Sequence, residues 1–386
     1  MHPDRDHRME LPVFALVAAA FTTIYITQPV LPVLQAEFGI SAGVASLTVS
    51  AVVLGIALAN LPFGMAADRY PIRPILLGGG TVVGIASLVC AFTPDITVLV
   101  AARFVQGLFI PSLTTCLAAY LARTLPAERL NVAMGSYVAA TVAGGLGGRL
   151  LGGWIHPPLH WRYAFVSAAV FLALATLASA RWLDRGPPRT IAEAAQPGFL
   201  ELLGRPELRR MCAVAFGGFF VFSSVFNFLP FHLTAPPIGA STEVITLMYL
   251  AYVVGIFTGP QAGRLANRVG NGSAMVLGAA LLALSLGVTL VRSLPVIALG
   301  LAGVCAGFFT IHASAVGLLN RRLTAAKGRA NSLYVLFYYL GGAAGITLSG
   351  YAYAGWGWGG VAALNGGVLA LPFAIGMLER RAPSRI

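Results

Sequence analysis

The chain has 386 residues, of which 58% are hydrophobic and 10% charged, where a soluble domain carries about a quarter charged residues. With a mean hydropathy of +0.81 it lacks the charge to cover a soluble surface, which excludes a soluble enzyme and a disordered chain. The net charge of +12 would suggest nucleic acid in a soluble protein. Here the placement of the charges around apolar runs explains it better, so no nucleic-acid partner is expected and the partner is the lipid bilayer.

The first apolar run, about 11–34, follows Arg5 and Arg8 and has no small-residue cleavage site, so it reads as a retained helix and not a signal peptide. Further runs lie at about 44–67, 74–93, 96–122, 131–154 and 162–183. A polar, proline-bearing stretch at 184–208 reads as a linker with one short amphipathic helix. Six more runs follow at about 209–232, 243–266, 273–291, 294–319, 330–353 and 358–378. Twelve spans with both ends cytoplasmic put 21 of the 25 basic residues on the cytoplasmic side and only Arg162 and Arg292 on the other. That is the asymmetry the positive-inside rule demands. The expected fold is an all-α membrane protein of twelve transmembrane helices in two pseudo-symmetric six-helix bundles, 1–183 and 209–386.

The halves repeat at an offset of about 199: Gln28 aligns with Asn227, Gly64 with Gly263, Asp68 with Asn267 and Arg69 with Arg268. In spans 5 and 11 the glycines Gly144 and Gly148 meet Gly341 and Gly345, and Gly152 continues the first row. Such glycines let helices touch backbone to backbone. Duplicated halves place a substrate site between them, near the bilayer midplane.

After span 2 comes Gly64-Met-Ala-Ala-Asp68-Arg69-Tyr-Pro-Ile-Arg73-Pro74, with a degenerate copy, Gly263-Arg-Leu-Ala-Asn267-Arg268, after span 8. The glycine would allow close helix approach, and the acid and bases can pair across a tight turn. This run closely resembles the signature loop of the major facilitator superfamily, and the resemblance covers the whole chain. It implies that Gly64, Asp68, Arg69, Arg73, Gly263, Asn267 and Arg268 serve conformational gating, with Asp68 latching onto the start of span 11 near Ala330 to Ser332. Arg103-Phe-Val-Gln106-Gly107 in span 4 is similar to that family's Arg-x-x-x-Gly motif, whose arginine is implicated in proton movement or substrate binding. Arg149 stands where the family's antiporter motif has proline, in a form that resembles the branch of bacterial arabinose-efflux and multidrug permeases. Both arginines lie near the periplasmic ends of their spans, so snorkelling is the competing structural reading.

No Asp or Glu falls well inside a span. A cavity with arginines and no carboxylate favours neutral or anionic solutes over cations. Gln28, Arg103, Gln106, Arg149, Asn227 and His312 are the candidate substrate and proton pathway. Cys90, Cys116, Cys212 and Cys305 sit in apolar runs without metal-ligand spacing and read as packing residues. No catalytic motif or phosphate-cradling loop is visible, so neither an enzyme nor a cofactor is expected. The expected function is proton-coupled efflux of small organic molecules by a monomeric secondary transporter of the bacterial inner membrane. The alternatives are an importer or facilitator of small anions using Arg103 and Arg149, and, remotely, a membrane enzyme or sensor.

Overall fold

In lipid every backbone polar group must be satisfied internally, so each apolar run closes on itself as a helix. The computed structural model describes residues 3–183, 197–323 and 326–381, and of residues 3–10, 127, 128 and 131 the backbone alone. Among the described residues, ten helices are long and apolar enough to cross a membrane. Two further spans complete the expected twelve. One is α7, whose glycines and Arg149 dilute its hydropathy, and the other arises because the longest helix is broken in two. Of the expected linker at 184–208, residues 184–196 lie outside the described residues.

The described residues divide into two units. The first unit begins with span 1, which is broken: α1 (Pro3–Tyr25) ends before a 3-10 turn at Gln28–Val30, and α2 (Leu31–Phe38) resumes the course. Pro29 causes the break, because it has no N–H to give the preceding turn. The other spans of this unit are α3 (Ala42–Arg69), α4 (Ile72–Phe92), α5 (Ile96–Leu113) continued by α6 (Thr115–Thr124), α7 (Ala127–Ile155) and α8 (Arg162–Trp182). Asp95 caps α5 by accepting from the backbone N–H groups of Thr97 (2.6 Å) and Val98 (3.1 Å). These bonds hold its carboxyl below the usual carboxylate range.

The second unit contains the short α9 (Phe199–Leu203), α10 (Pro206–Thr234), α11 (Thr242–Met248), α12 (Tyr252–Val269), α13 (Asn271–Val288), α14 (Leu294–Arg322) and α15 (Lys327–Arg381). The stretch Ile40–Ser46, which opens α3, clusters with this unit. Helix α15 holds spans 11 and 12, separated at Trp356 and Gly357, where Gly357 takes φ 54°. Only glycine adopts that conformation without strain.

The same neighbours recur in both units. Helix α7 packs on α1, and the first arm of α15 packs on α10. A Cβ on Gly144, Gly148 or Gly152 would strike the carbonyl oxygens of Ala18, Thr22 or Ile26. On Gly341 or Gly345 it would strike those of Phe216 or Phe220. In each row both partners advance together along the chain, so the paired helices run in the same direction, as two odd-numbered spans must.

Gly64 and Gly263 differ from this pattern. A Cβ at Gly64 would meet only Thr115 Cγ2, at 3.9 Å, and at Gly263 nothing within 4 Å. The close helix approach expected at these two glycines is therefore absent among the described residues; both lie inside helices, Gly64 in α3 and Gly263 in α12.

Candidate functional site

The break in span 1 leaves the last carbonyls of α1 without the N–H partners that a continuous helix would supply. Arg103 fills that deficit from α5. Its Nη1 donates to Thr23 O at 2.6 Å and its Nη2 donates to Ile24 O. Its Nε donates to Thr48 O of α3 at 2.7 Å, and Nη1 also reaches Gln106 Oε1 at 2.7 Å. Gln106 in turn donates to Ser87 Oγ of α4 at 2.6 Å. The guanidinium lies 5.5 Å from the Phe165 ring centroid of α8.

Arg103 is 0% exposed, so it does not snorkel. A cation at a helix C-terminus is favoured by the dipole as well as by the hydrogen bonds. Burying an arginine in a span carries an insertion penalty of about 2.5–3.5 kcal/mol, offset here by four hydrogen bonds. Gly107, one turn on, lets α5 cross α3 against Val52.

Arg149 reaches the same break from α7. It is 2% exposed. Its Nε donates to Gln28 Oε1 at 2.7 Å, its Nη1 donates to Gly145 O at 2.7 Å, and its guanidinium lies 3.9 Å above the Tyr25 ring. It does not snorkel either. The structure thus brings Gln28, Arg103, Gln106 and Arg149 together around one turn of irregular backbone. Non-helical backbone at membrane depth is tolerated where protein satisfies it; Arg103 does so here, and Arg149 holds the Gln28 side chain beside it.

The second unit lacks this arrangement. Asn227, the counterpart of Gln28, is fully buried, donates to Ser46 Oγ at 2.8 Å, and keeps Oδ1 without a hydrogen bond among the described residues. Ile346 stands where the glycine register would put Arg149. Instead, α10, α12, α14 and α15 build an aromatic wall. Tyr338 stacks on Phe219 with centroids 3.7 Å apart, Phe222 stacks on Phe308 at 4.0 Å, and Tyr252 lies 4.5 Å from Phe226. His312 belongs to this wall: its Nδ1 shares a 3.0 Å hydrogen bond with Tyr334 OH, and its ring stacks on Phe308. His312 is therefore remote in sequence and in unit from the arginine cluster.

The loop residues form two equivalent clasps. Asp68 pairs with Arg123 at the end of α6 (3.2 Å), and Arg123 also donates to Ala67 O at 2.7 Å. Asn267 accepts from Arg321 at the end of α14 at 2.5 Å. Arg69, Arg73 and Arg268 are exposed. The repeat could have flagged Arg123 and Arg321, since they align at nearly the offset that pairs Asp68 with Asn267. A further ionic feature is Glu379, in the last turn of α15, with a side chain 1% exposed between Arg210 (2.8 Å) and Arg322 (2.5 Å).

An exposed ion pair is worth at most about 1 kcal/mol, and Asn267 demonstrates that an amide can accept from the equivalent arginine. Asp68→Asn is accordingly expected to leave the melting temperature in detergent within a degree or two of wild type. Any loss of transport rate in that variant would then not be due to unfolding.

No group of three or more His, Cys, Asp or Glu able to hold a metal occurs among the described residues.

The family model described as Major Facilitator Superfamily matches residues 13–310 and 235–385. The inner membrane transport protein YnfM of Escherichia coli is 28% identical over 97% of this chain and 91% of its own length. A probable transporter of Streptomyces coelicolor is 30% identical over 94% of this chain and 86% of its own. Among solved structures, a bacterial homologue of the human lysosomal transporter Spinster, inward-facing and unoccupied, superposes with a TM-score of 0.79 at 15% identity. That match covers 99% of this chain and 98% of the other.

Proposed function

The chain belongs to the Major Facilitator Superfamily, and from that premise we propose that it is a proton-coupled exporter of small organic molecules in a bacterial inner membrane. It is a membrane transporter and not an enzyme. In this reading the two halves, 1–183 and 209–386, expose a central site alternately to each side, both termini are cytoplasmic, and the protein works as a monomer. The excess of basic residues on one set of loops supports the orientation. YnfM, an inner-membrane transport protein, supports the location.

The observation that carries the reading is the arginine-held break in span 1. A discontinuous helix in the interior supplies backbone and side-chain polar groups at membrane depth, which is where transporters of this architecture hold their substrates. Gln28 and Arg149 are the substrate-facing candidates of the first half. Asn227 and His312 are those of the second. With two buried arginines and no carboxylate beside them in the sequence of any span, the substrate is neutral or anionic.

Arg103 plays a different part from Arg149. Its donors are engaged by Thr23, Ile24, Thr48 and Gln106, so it holds the site and does not offer a bidentate fork. That geometry lends no support to import of small anions through an Arg103–Arg149 clamp. Asp68, by contrast, acts on rates, and Asp68→Asn is expected to slow transport at unchanged substrate affinity.

Everted membrane vesicles test the proposal. An acid-inside gradient is expected to drive uptake of neutral and anionic organic solutes from a test panel, and an uncoupler to abolish the accumulation. Equal flux with and without the gradient would point to facilitated diffusion.

A further inference from the structure

The kink in α15 opens two adjoining cavities in the second unit. One, of about 940 Å³, runs along the helix between Leu348, Tyr351 and Leu364 over a floor that includes Gly355. The other, of about 450 Å³, is lined by His232, Arg292, Tyr353 and Trp358. Trp356 and Gly359 line both, so the apolar groove leads into the polar pocket.

The two cavities differ in chemistry in a way that suits one amphiphile. In the pocket, His232 stacks on Trp358 (4.6 Å, 7° between planes), and its Nε2 is buried without a hydrogen-bond partner among the described residues. Trp358 is itself fixed by donating to Thr289 Oγ1 at 3.1 Å. Arg292 is exposed at the mouth. The Arg292 guanidinium matches a phosphate oxyanion, and His232, which already donates to the Thr289 backbone, offers its bare Nε2 as an acceptor for a headgroup hydroxyl. In the groove the walls are apolar, and Tyr351 and Trp356 are 76% and 79% exposed. Exposed aromatic side chains at the end of a spanning helix belong to the depth of lipid headgroups.

We propose that this compound site holds one phospholipid of the surrounding bilayer, its phosphate against Arg292, a headgroup hydroxyl against His232 and an acyl chain along the α15 groove. The continuity of groove and pocket selects a lipid over a water-soluble phosphoester, which would leave the groove empty. The site lies wholly within the second unit and is independent of the direction or coupling of transport.

Native mass spectrometry of the full chain in maltoside micelles titrated with phosphatidylglycerol tests this. One lipid is expected to stay bound to the wild type. Arg292→Ala should weaken retention roughly fivefold, the effect of one basic residue at a lipid surface. Gly355→Leu should abolish retention without lowering the melting temperature, because a Cβ there has nothing within 4 Å. Equal retention by wild type and both variants would overturn the proposal, as would displacement of the lipid by glycerol phosphate.

Discussion

Arg103→Ala is expected to lose stability and transport together. The substitution removes donors from Thr23 O and Ile24 O, for which the broken helix offers no replacement, and a second donor from Thr48 O inside α3. Each buried acceptor left without a donor costs about 1–3 kcal/mol. Relief of the buried charge returns part of that, and net destabilisation of roughly 2–4 kcal/mol follows. Arg103→Lys keeps the charge but cannot reach three carbonyls on two helices at once, so its melting temperature should fall between those of wild type and Arg103→Ala. Thermal unfolding in detergent, read beside transport in vesicles, separates this role from proton relay. A relay arginine replaced by lysine would lose coupling at an unchanged melting temperature.

The second large effect is expected at the glycine rows. In Gly148→Val and in Gly345→Val the new Cβ would lie 2.2 Å from Thr22 O and Phe220 O, respectively. Backbone atoms cannot yield at that distance, so α7 must leave α1, and the first arm of α15 must leave α10. Overpacking of this kind costs about 3 kcal/mol or more when the neighbour is rigid. Each variant should fail to give a monodisperse peak on size-exclusion chromatography. Gly64→Ala and Gly263→Ala, with open space around them, should elute as wild type does. The equivalence of the two sensitive positions also tests the duplication, since loss at one row and tolerance at the other would break it.

Much of this fold can be read from residues. Apolar runs fix the spans because lipid removes every alternative to the helix, and the glycine spacing at Gly144, Gly148, Gly341 and Gly345 identifies the helix pairs. Gln28 stands out because it adjoins Pro29. What cannot be read is the backbone side of each contact. The partners of Arg103 are carbonyl oxygens of Thr23, Ile24 and Thr48, and a carbonyl is the same in every residue, so no pattern announces it. Position alone leaves Arg103 and Arg149 compatible with snorkelling, whereas both are buried against neighbouring helices.

The clasps were half legible. Asp68 and Asn267 mark their loops, but Arg123 and Arg321 lie more than fifty residues away at the ends of other spans and resemble ordinary positive-inside charges. Glu379 was still less visible, since a lone acid at a helix end carries no sign that Arg210 and Arg322 enclose it. The missing loop between spans 11 and 12 has a simple cause. Trp356 and Gly357 turn the chain in two residues, with no polar segment to mark the corner.

Alternating access is most directly tested by paired labelling. The four cysteines, Cys90, Cys116, Cys212 and Cys305, are all buried thiols, and their removal gives a background for new cysteines at Gln28 and His312. A bulky membrane-impermeant maleimide that has reacted at one of these positions from one face should leave the other unreactive from the opposite face. Simultaneous reaction from both faces of the same vesicles would contradict the account.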